Sequence, residues 1–229
     1  MQSSLLHPES FHPVFKTSIS APGHENCTLN LHYGLPPMIF IDPYELSNRA
    51  DTYSFKYAGP SNLELPVFAL GGGGEDDKNA QLLVTMAQPL SAEGVLEVEV
   101  PLHARYGHTR ASTVASSENS FQLTQIPWPD AFLACPASTT KAKSQLLPSM
   151  RPDFAAAFDN SFIVPLSPPP GAVPVETIRT PVGDGAHVRS VEVGTAVTVL
   201  VAFFYLVRAV RRTMVRLGTP SVALHAKKQ

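Results

Sequence analysis

An apolar run near the C-terminus constrains this chain more than any other feature. Residues 193–207 carry no charged side chain, and nine of these fifteen residues are Val, Leu or Phe. As a helix the run covers roughly 22 Å, which is short of the ~30 Å hydrocarbon core of a bilayer. Val191 and a snorkelling Arg208 extend it, so we expect a transmembrane helix over residues 191–208. The alternative is a buried core helix or strand, because many of these residues are β-branched.

This run divides the charged residues of the chain. All 19 acidic residues lie at or before Glu192, whereas six basic residues follow it, at positions 208, 211, 212, 216, 227 and 228. Lys and Arg are retained on the cytosolic side of a span. We therefore expect residues 209–229 to form a basic cytosolic tail and residues 1–190 to be lumenal or extracellular. The net charge of −2 argues against a nucleic-acid partner.

The first residues do not match a signal peptide. Residues 1–20 lack a basic start and a long apolar core, and they contain Pro8, Glu9 and Pro13. Either a signal sequence is missing from the chain, or the protein is tail-anchored with its body in the cytosol. The triplet Asn26-Cys27-Thr28 is an N-glycosylation sequon, which favours the lumen and makes Asn26 the candidate glycosylation site.

Short β-rich runs separated by Gly, Pro, Asn and Asp predict a β domain over residues 27–135, preceded by an N-terminal extension over residues 1–26. The candidate strands are 27–33, 38–41, 52–57, 63–70, 81–86, 94–106, 120–126 and 131–135. In the clearest of them, apolar residues at the even positions from 96 to 102 alternate with other residues, which places the apolar set on a core face. Pro101 indicates an edge or a bulge there. The pattern predicts a mainly β fold, either a sandwich or a barrel-like domain.

Residues 136–190 have the composition of a Pro-rich stalk. Nine prolines lie between Pro136 and Arg189, three of them consecutive at positions 168–170. Such a stretch favours extended polyproline structure over a packed core. We expect it to link the body to the membrane, with a last strand or docking segment near residues 158–166.

No catalytic pattern is visible in the sequence. The eight histidines include no His-x-x-x-His pair, and there is no Gly-x-Ser-x-Gly motif. We therefore predict no catalytic residue, cofactor or metal site.

In an oxidising lumen, Cys27 and Cys135 would form a disulfide that closes a loop of about 108 residues and stabilises the fold by about 4–5 kcal/mol. The alternative is two separate buried thiols.

Two polar segments stand out beside candidate strands. Asp42 can cap a turn in which Pro43 fixes φ, and Tyr44 and Leu46 then offer apolar surface beside Asp42 and Glu45. The alternative is a well-made turn without further function. The second segment is a cluster at the end of a candidate strand, formed by His103, Arg105 and Tyr106. The alternative interpretation of this cluster is a strand end whose polar residues are directed outward.

Together with Cys135, four motifs in residues 27–135 resemble the PIG-X family. They are Asn-Cys-Thr-Leu, Leu-Pro-Pro-Met-Ile-Phe-Ile-Asp-Pro-Tyr-Glu-Leu, Leu-Glu-Leu-Pro-Val and Val-Pro-Leu-His-Ala-Arg-Tyr. The C-terminal single span matches as well. Two features depart from the family pattern: the signal peptide is missing, and Gly107-His108-Thr109 stands where family members commonly have Pro.

The resemblance implies an accessory, stabilising subunit of glycosylphosphatidylinositol (GPI) mannosyltransferase I. Such a protein resides in the endoplasmic-reticulum (ER) membrane and has a lumenal β domain. Its partner is a multispan catalytic subunit of the PIG-M type, which transfers the first mannose from dolichol-phosphate-mannose to the glucosaminyl-phosphatidylinositol intermediate. We expect residues 42–46 and 103–106 to form or support the docking surface, with Tyr44 and Tyr106 as anchors and Arg105 paired with a partner carboxylate.

Two other classes of protein stay open. One is a single-pass lumenal hydrolase or glycan transferase that uses Asp42, Glu45 and His103. The other is a type I adhesion or cargo-binding module. Expression without the catalytic partner separates them from an accessory subunit, because an enzyme would be active alone.

Overall fold

The computed structural model describes residues 1–21, 24, 26–60, 79–87, 95–107, 121–136 and 149–218. Its strands are β1 (Gln2–Leu6), β2 (Val14–Ile19), β3 (Thr28–Leu35), β4 (Ile39–Phe40), β5 (Tyr53–Ala58), β6 (Ala80–Met86), β7 (Leu96–Pro101), β8 (His103–Ala104), β9 (Phe121–Pro127), β10 (Asp130–Pro136), β11 (Ser161–Leu166) and β12 (Val175–Pro181). Its helices are α1 (Pro43–Ser47), α2 (Pro152–Ala155) and α3 (Val188–Gly218), with short 3-10 turns at Ala156–Phe158 and Gly185–His187. The chain forms two compact units, a β body that ends at Val182 and a helical unit that begins at Gly183.

The strands of the body pair antiparallel in four sheets. Five strands follow the order β11-β10-β3-β6-β5, three follow β1-β2-β7, and two ribbons pair β12 with β9 and β4 with β8. Within the part of the chain that the structure describes, none of these orders closes on itself, so the body is not a closed barrel. The mainly β fold predicted from the sequence is confirmed. The candidate strand at residues 63–70 lies outside the described residues.

The main core lies between the three-stranded and five-stranded sheets. Phe15 of β2 packs edge-on against Tyr33 of β3, with 5.9 Å between ring centroids. Val98 and Val100 of β7 are buried in the same core, which confirms the predicted inward face of this strand. β7 ends the order β1-β2-β7, and this position agrees with the edge expected from Pro101.

Residues 149–181 belong to the body, which differs from the predicted stalk. β11 pairs with β10, and β12 pairs with β9 over its whole length. A second core cluster covers the other face of the five-stranded sheet; it contains Leu83, Phe132, Met150, Phe154, Phe158 and Ile163. The prolines fit because Pro152 occupies the first turn of α2 and Pro165 lies in the end strand β11, and both positions tolerate a missing N–H.

Residues 1–21 are also part of the body rather than an extension. β1 pairs with β2, and β2 pairs with β7, with Phe15 opposite Val100. β2 has the period of a half-buried strand, because Phe15, Thr17 and Ile19 are buried while the residues between them are partly exposed. The boundary expected at residue 26 therefore does not separate an extension from the β domain.

The C-terminal unit contains the helix expected from the apolar run. α3 has 31 residues, which as a helix span about 46 Å, more than the ~30 Å hydrocarbon core. Thr198 and Thr213 donate their hydroxyl hydrogens to the carbonyls of Gly194 and Ala209, one turn earlier. Within the expected span, the bond of Thr198 satisfies a hydroxyl that lipid cannot hydrogen-bond. Among the described residues, this is the one helix long and apolar enough to cross a membrane.

Candidate functional site

Residues 42–46 form a short capped helix rather than an open turn. Asp42 is the N-cap of α1, and its carboxylate accepts a hydrogen bond from the backbone N–H of Tyr44 at 2.9 Å. Pro43 occupies the first helical position, where no N–H is required. Leu46 is fully buried in the main core, whereas Tyr44 is 85% exposed. Leu46 therefore anchors the helix in the core, and Tyr44 is presented to solvent.

The β4–β8 ribbon brings the two predicted segments together. Ile39 lies opposite Ala104, and Phe40 lies opposite His103. Because α1 follows β4 directly, Glu45 reaches the same place, and its Oε2 lies 2.7 Å from Nε2 of His103. The Phe40 and His103 rings are stacked with 5.2 Å between centroids. The acidic and basic candidates are thus in direct contact.

A second histidine joins this pair. Nδ1 of His12 lies 2.9 Å from Nδ1 of His103. If the Glu45 carboxylate accepts the hydrogen on Nε2 of a neutral His103, the Nδ1 of His103 accepts the hydrogen on Nδ1 of His12. This chain of contacts fixes the orientation of His103. His103 is bonded here to a carboxylate and an imidazole, and neither group is a hydroxyl or thiol nucleophile.

Arg105 is inside the body and not on the surface. The residue is 3% exposed, its guanidinium lies 4.5 Å from the Phe40 ring centroid, and its Nη2 donates to the Pro60 carbonyl at 3.3 Å. Tyr57 donates to the same carbonyl at 3.2 Å. Burial lowers the pKa of the Arg105 guanidinium and raises the pKa of the Tyr57 hydroxyl. The expected pairing of Arg105 with a partner carboxylate does not fit this position, because the guanidinium would have to leave its buried contacts.

Tyr106 is the second exposed aromatic residue of the site. It is 77% exposed and contacts the ring of Phe11 at 4.9 Å between centroids. The backbone N–H of Ala104 donates to the carbonyl of Phe11, and that of Leu102 donates to Pro13. The chain between β1 and β2 therefore supports the strand end that carries His103 and Tyr106.

Sequence reasoning missed Phe11 and His12. His12 is 91 residues from His103 in the chain, and no local pattern connects the two positions. The available signal was the alternation of Phe15, Thr17 and Ile19 with Lys16 and Ser18, which is typical of a half-buried strand. A strand that begins just after His12 and Pro13 places these two residues at a sheet end.

The two cysteines form a disulfide in the structure, with 4.2 Å between their Cα atoms. Cys27 immediately precedes β3, and Cys135 lies in the neighbouring strand β10. The bond therefore joins two central strands, and not the first and last strands of the body. Asn26 is exposed beside it. His24 lies within 4.8 Å of both sulfurs, but the disulfide leaves neither sulfur available as a thiolate ligand.

The chain is similar to one protein family and to several fungal proteins. A family model described as PIG-X / PBN1 matches residues 8–211. The protein pbn1 of Neurospora crassa is 26% identical over 219 residues, which cover 89% of this chain and 41% of the relative. The protein PBN1 of Gibberella zeae is 26% identical over 220 residues, with 89% and 42% covered.

A third relative is matched over a shorter segment. The protein pbn1 of Emericella nidulans is 27% identical over 149 residues, which cover 57% of this chain and 26% of the relative. The chain thus spans less than half the length of these relatives. No solved structure matches significantly. The family match over most of the sequence shows that this chain belongs to the PIG-X/PBN1 family.

Proposed function

We propose that this chain is the non-catalytic, stabilising subunit of the ER mannosyltransferase that adds the first mannose in GPI-anchor biosynthesis. Membership of the PIG-X/PBN1 family carries this proposal and supports a role in GPI-anchor biosynthesis. The architecture supports it, because the described residues form a β body, which offers a surface for a partner, followed by one helix long and apolar enough to cross a membrane. The partner is a multispan catalytic subunit of the PIG-M type.

The docking surface of this subunit is formed by residues 42–46 and 103–106, with different roles for their side chains. Tyr44 and Tyr106 are the anchors, because both are largely exposed and aromatic residues are enriched among binding hot spots. Glu45 and His103 form the polar part between the two segments. Leu46 and Arg105 support the surface from inside the body.

Alanine substitutions of the two tyrosines test this docking surface. Truncation of a hot spot costs about 2 kcal/mol or more, roughly thirtyfold in affinity. Tyr44→Ala and Tyr106→Ala should therefore lower the level of the catalytic subunit and of surface GPI-anchored protein together. Leu123→Ala, at an exposed apolar position of β9, is the matched control and should change neither level.

The Glu45–His103 contact favours a second candidate, a lumenal enzyme that uses this pair for acid–base chemistry. The two candidates differ in mannose transfer per molecule of catalytic subunit, measured in membranes from a Glu45→Gln variant. A stabilising subunit leaves this specific activity unchanged. A collapse of specific activity, with the catalytic subunit present and associated at normal levels, would refute the subunit role in favour of the enzyme.

We further propose that the body lies in the ER lumen and that the basic tail after the span is cytosolic. The arginines at positions 208, 211, 212 and 216 support this orientation. Expressed behind a cleavable signal sequence, the chain should carry a glycan on Asn26 that endoglycosidase H removes. Protease added to sealed microsomes should trim only the tail, and digestion of the body with the tail spared would contradict this orientation.

A further inference from the structure

A cleft of about 390 Å³ lies beside the His32 end of β3, in the β body. This volume is at the lower end of the ~300–1,000 Å³ of small-molecule sites. None of its described lining residues belongs to the docking surface of residues 42–46 and 103–106, and none of them is Lys or Arg. The polar and aromatic part of the described lining consists of His32, Asn79, Gln81, Gln125, Trp128, Asp130 and Ser149, and the Ser149 hydroxyl lies 3.5 Å from Oδ2 of Asp130.

The hydrogen bonds of Gln81 determine which nitrogen of His32 carries a hydrogen. The Nε2 group of Gln81 donates to the carbonyl of Ser149 at 3.0 Å, and its Oε1 accepts from the backbone N–H of Arg151 at 3.1 Å. A flipped amide would lose both bonds, so Oε1 is the oxygen. Nε2 of His32 lies 3.2 Å from that oxygen and must therefore be the donor.

In a neutral His32, Nδ1 is consequently an acceptor. It lies 3.6 Å from Oδ2 of Asp130 and has no hydrogen-bond partner among the described residues. His32 is 2% exposed, and buried polar atoms are normally satisfied. A proton on Nδ1 would not complete a hydrogen bond over 3.6 Å. A ligand with two donor hydrogens would satisfy Nδ1 with one of them and bind the Asp130 carboxylate with the other.

The lining defines the chemistry of such a donor. None of the described lining residues is basic, which disfavours an anionic ligand. Asn79 and Gln125 offer amides that both donate and accept, and Trp128 adds an aromatic surface whose indole N–H is held by Glu176 at 3.0 Å. We propose that this cleft binds a carbohydrate residue, with one hydroxyl donating to Nδ1 of His32, a neighbouring hydroxyl donating to the Asp130 carboxylate, and the ring lying against Trp128.

Trp128 is the only tryptophan of the chain, so its fluorescence reports on this cleft. The full chain is purified in a polyoxyethylene detergent, which has no sugar headgroup, and is titrated with methyl α-mannoside, methyl α-glucoside and N-acetylglucosamine. We expect a saturable change in the millimolar range for at least one of them. The absence of a saturable change for all three, or an equal response to glycerol, would overturn the carbohydrate assignment.

Substitution of Asp130 tests the hydrogen bond that the carboxylate would accept from the ligand. Asp130→Asn replaces the charged acceptor by an amide whose N–H can itself donate to Nδ1 of His32. We expect carbohydrate binding to weaken by about tenfold or more, while the thermal midpoint does not fall. Asp159→Asn makes the same charge change at an exposed position outside the cleft and should bind like the parent chain.

A second variant and a Zn²⁺ titration complete the test of this cleft. Gln125→Ala, at an exposed position of β9, should also weaken binding, and it keeps the test valid if Asp130→Asn fails to fold. Unchanged binding in both variants would overturn the site. A response to Zn²⁺ that depends on Asp130, without any response to the sugars, would identify a cation site and refute the carbohydrate assignment.

Discussion

Arg105 is a buried charged residue, with only 3% of its surface exposed. Its guanidinium contacts the Phe40 ring and the Pro60 carbonyl, and its backbone N–H donates to Met38 at 2.8 Å. The residue therefore ties β8 to β4 and to the end of β5. Its contribution is to the stability of the body, and through the body to the position of Tyr106.

Arg105→Ala should lower the free energy of unfolding by about 2–4 kcal/mol, because it removes a charged hydrogen bond and a cation–π contact. Arg105→Lys should recover only part of this loss, since an ammonium group lacks the planar face. Denaturant unfolding of the purified chain measures both effects. Unchanged stability with lost partner binding would instead show that the side chain reaches the partner.

Because of Tyr53, the stability of the body should depend on pH in the alkaline range. Burial raises the pKa of its hydroxyl to about 12, and burial raises the pKa of Tyr33 as well. Below pH ~10 both the folded and the unfolded chain keep these protons. Between pH ~10 and ~12 the unfolded chain releases them first, so the stability should fall as the pH rises.

Tyr53→Phe should make this alkaline loss less steep, because it removes one of the tyrosine hydroxyls with a raised pKa, while those of Tyr33 and Tyr57 remain. At neutral pH it should cost about 0.5–1.5 kcal/mol, since the Tyr53 hydroxyl donates to the Glu99 carbonyl at 3.3 Å. Urea unfolding at a series of pH values tests both statements. An unchanged alkaline slope would contradict the assignment to Tyr53.

Among the elements, those with a clear local pattern were predictable and those held by distant contacts were not. β7 shows period-2 alternation, and α1 has the Asp-Pro start of a capped turn, so both follow from the sequence. β11 (Ser161–Leu166) falls in the segment near residues 158–166 where a last strand or docking segment was expected, whereas β12 was obscured by proline, which composition alone assigns to extended linkers. Their positions depend on pairing with β10 and β9, and a local pattern cannot show such pairing.

The same distinction applies to the candidate site. Glu45 and His103 could be proposed as neighbours only through the family resemblance, because 58 residues separate them. His12 carried no signal of its own. His32 lies on the face of β3 opposite the main core, where alternation predicts solvent, and it is buried. The reason is that this face of the sheet is covered, in part by residues from the predicted stalk.

Asp42→Ala tests the cap of α1. The carboxylate satisfies the N–H of Tyr44, and loss of an N-cap typically costs about 1 kcal/mol. Asp42→Asn should retain most of this stability, because its amide oxygen can accept the same bond. Thermal unfolding compares the two variants with Asp159→Ala, an exposed control. Equal midpoints for Asp42→Ala and the parent would show that the cap contributes nothing.

At the scale of the whole molecule, the disulfide is the strongest single restraint that the structure contains. It links positions 108 residues apart in sequence. The two cysteines are the sequence neighbours of Thr28 and Ala134, which lie opposite each other in the pairing of β3 with β10. A covalent link over such a distance restricts the unfolded chain far more than the folded one.

Cys135→Ser should therefore lower the free energy of unfolding by about 2–5 kcal/mol. Because the chain has two cysteines, the double variant with Cys27→Ser should show about the same loss and not twice the loss. Unfolding with and without a reductant gives an independent measure. Non-reducing peptide mapping that recovered both thiols free from folded protein would rule out the bond.

The long-range pairing of the strands also determines when the body can fold during synthesis. β1 and β2 emerge first and pair with each other, but β2 also pairs with β7, and β3 pairs with β10. The last strand, β12, ends at Pro181, just before α3 begins at Val188. The ribosome must therefore deliver nearly the whole body before its sheets are complete, and the early strands need protection from aggregation until then. A secreted version cut between Pro181 and Val188 keeps every described strand, whereas one cut at residue 136 exposes Leu83 and Phe132.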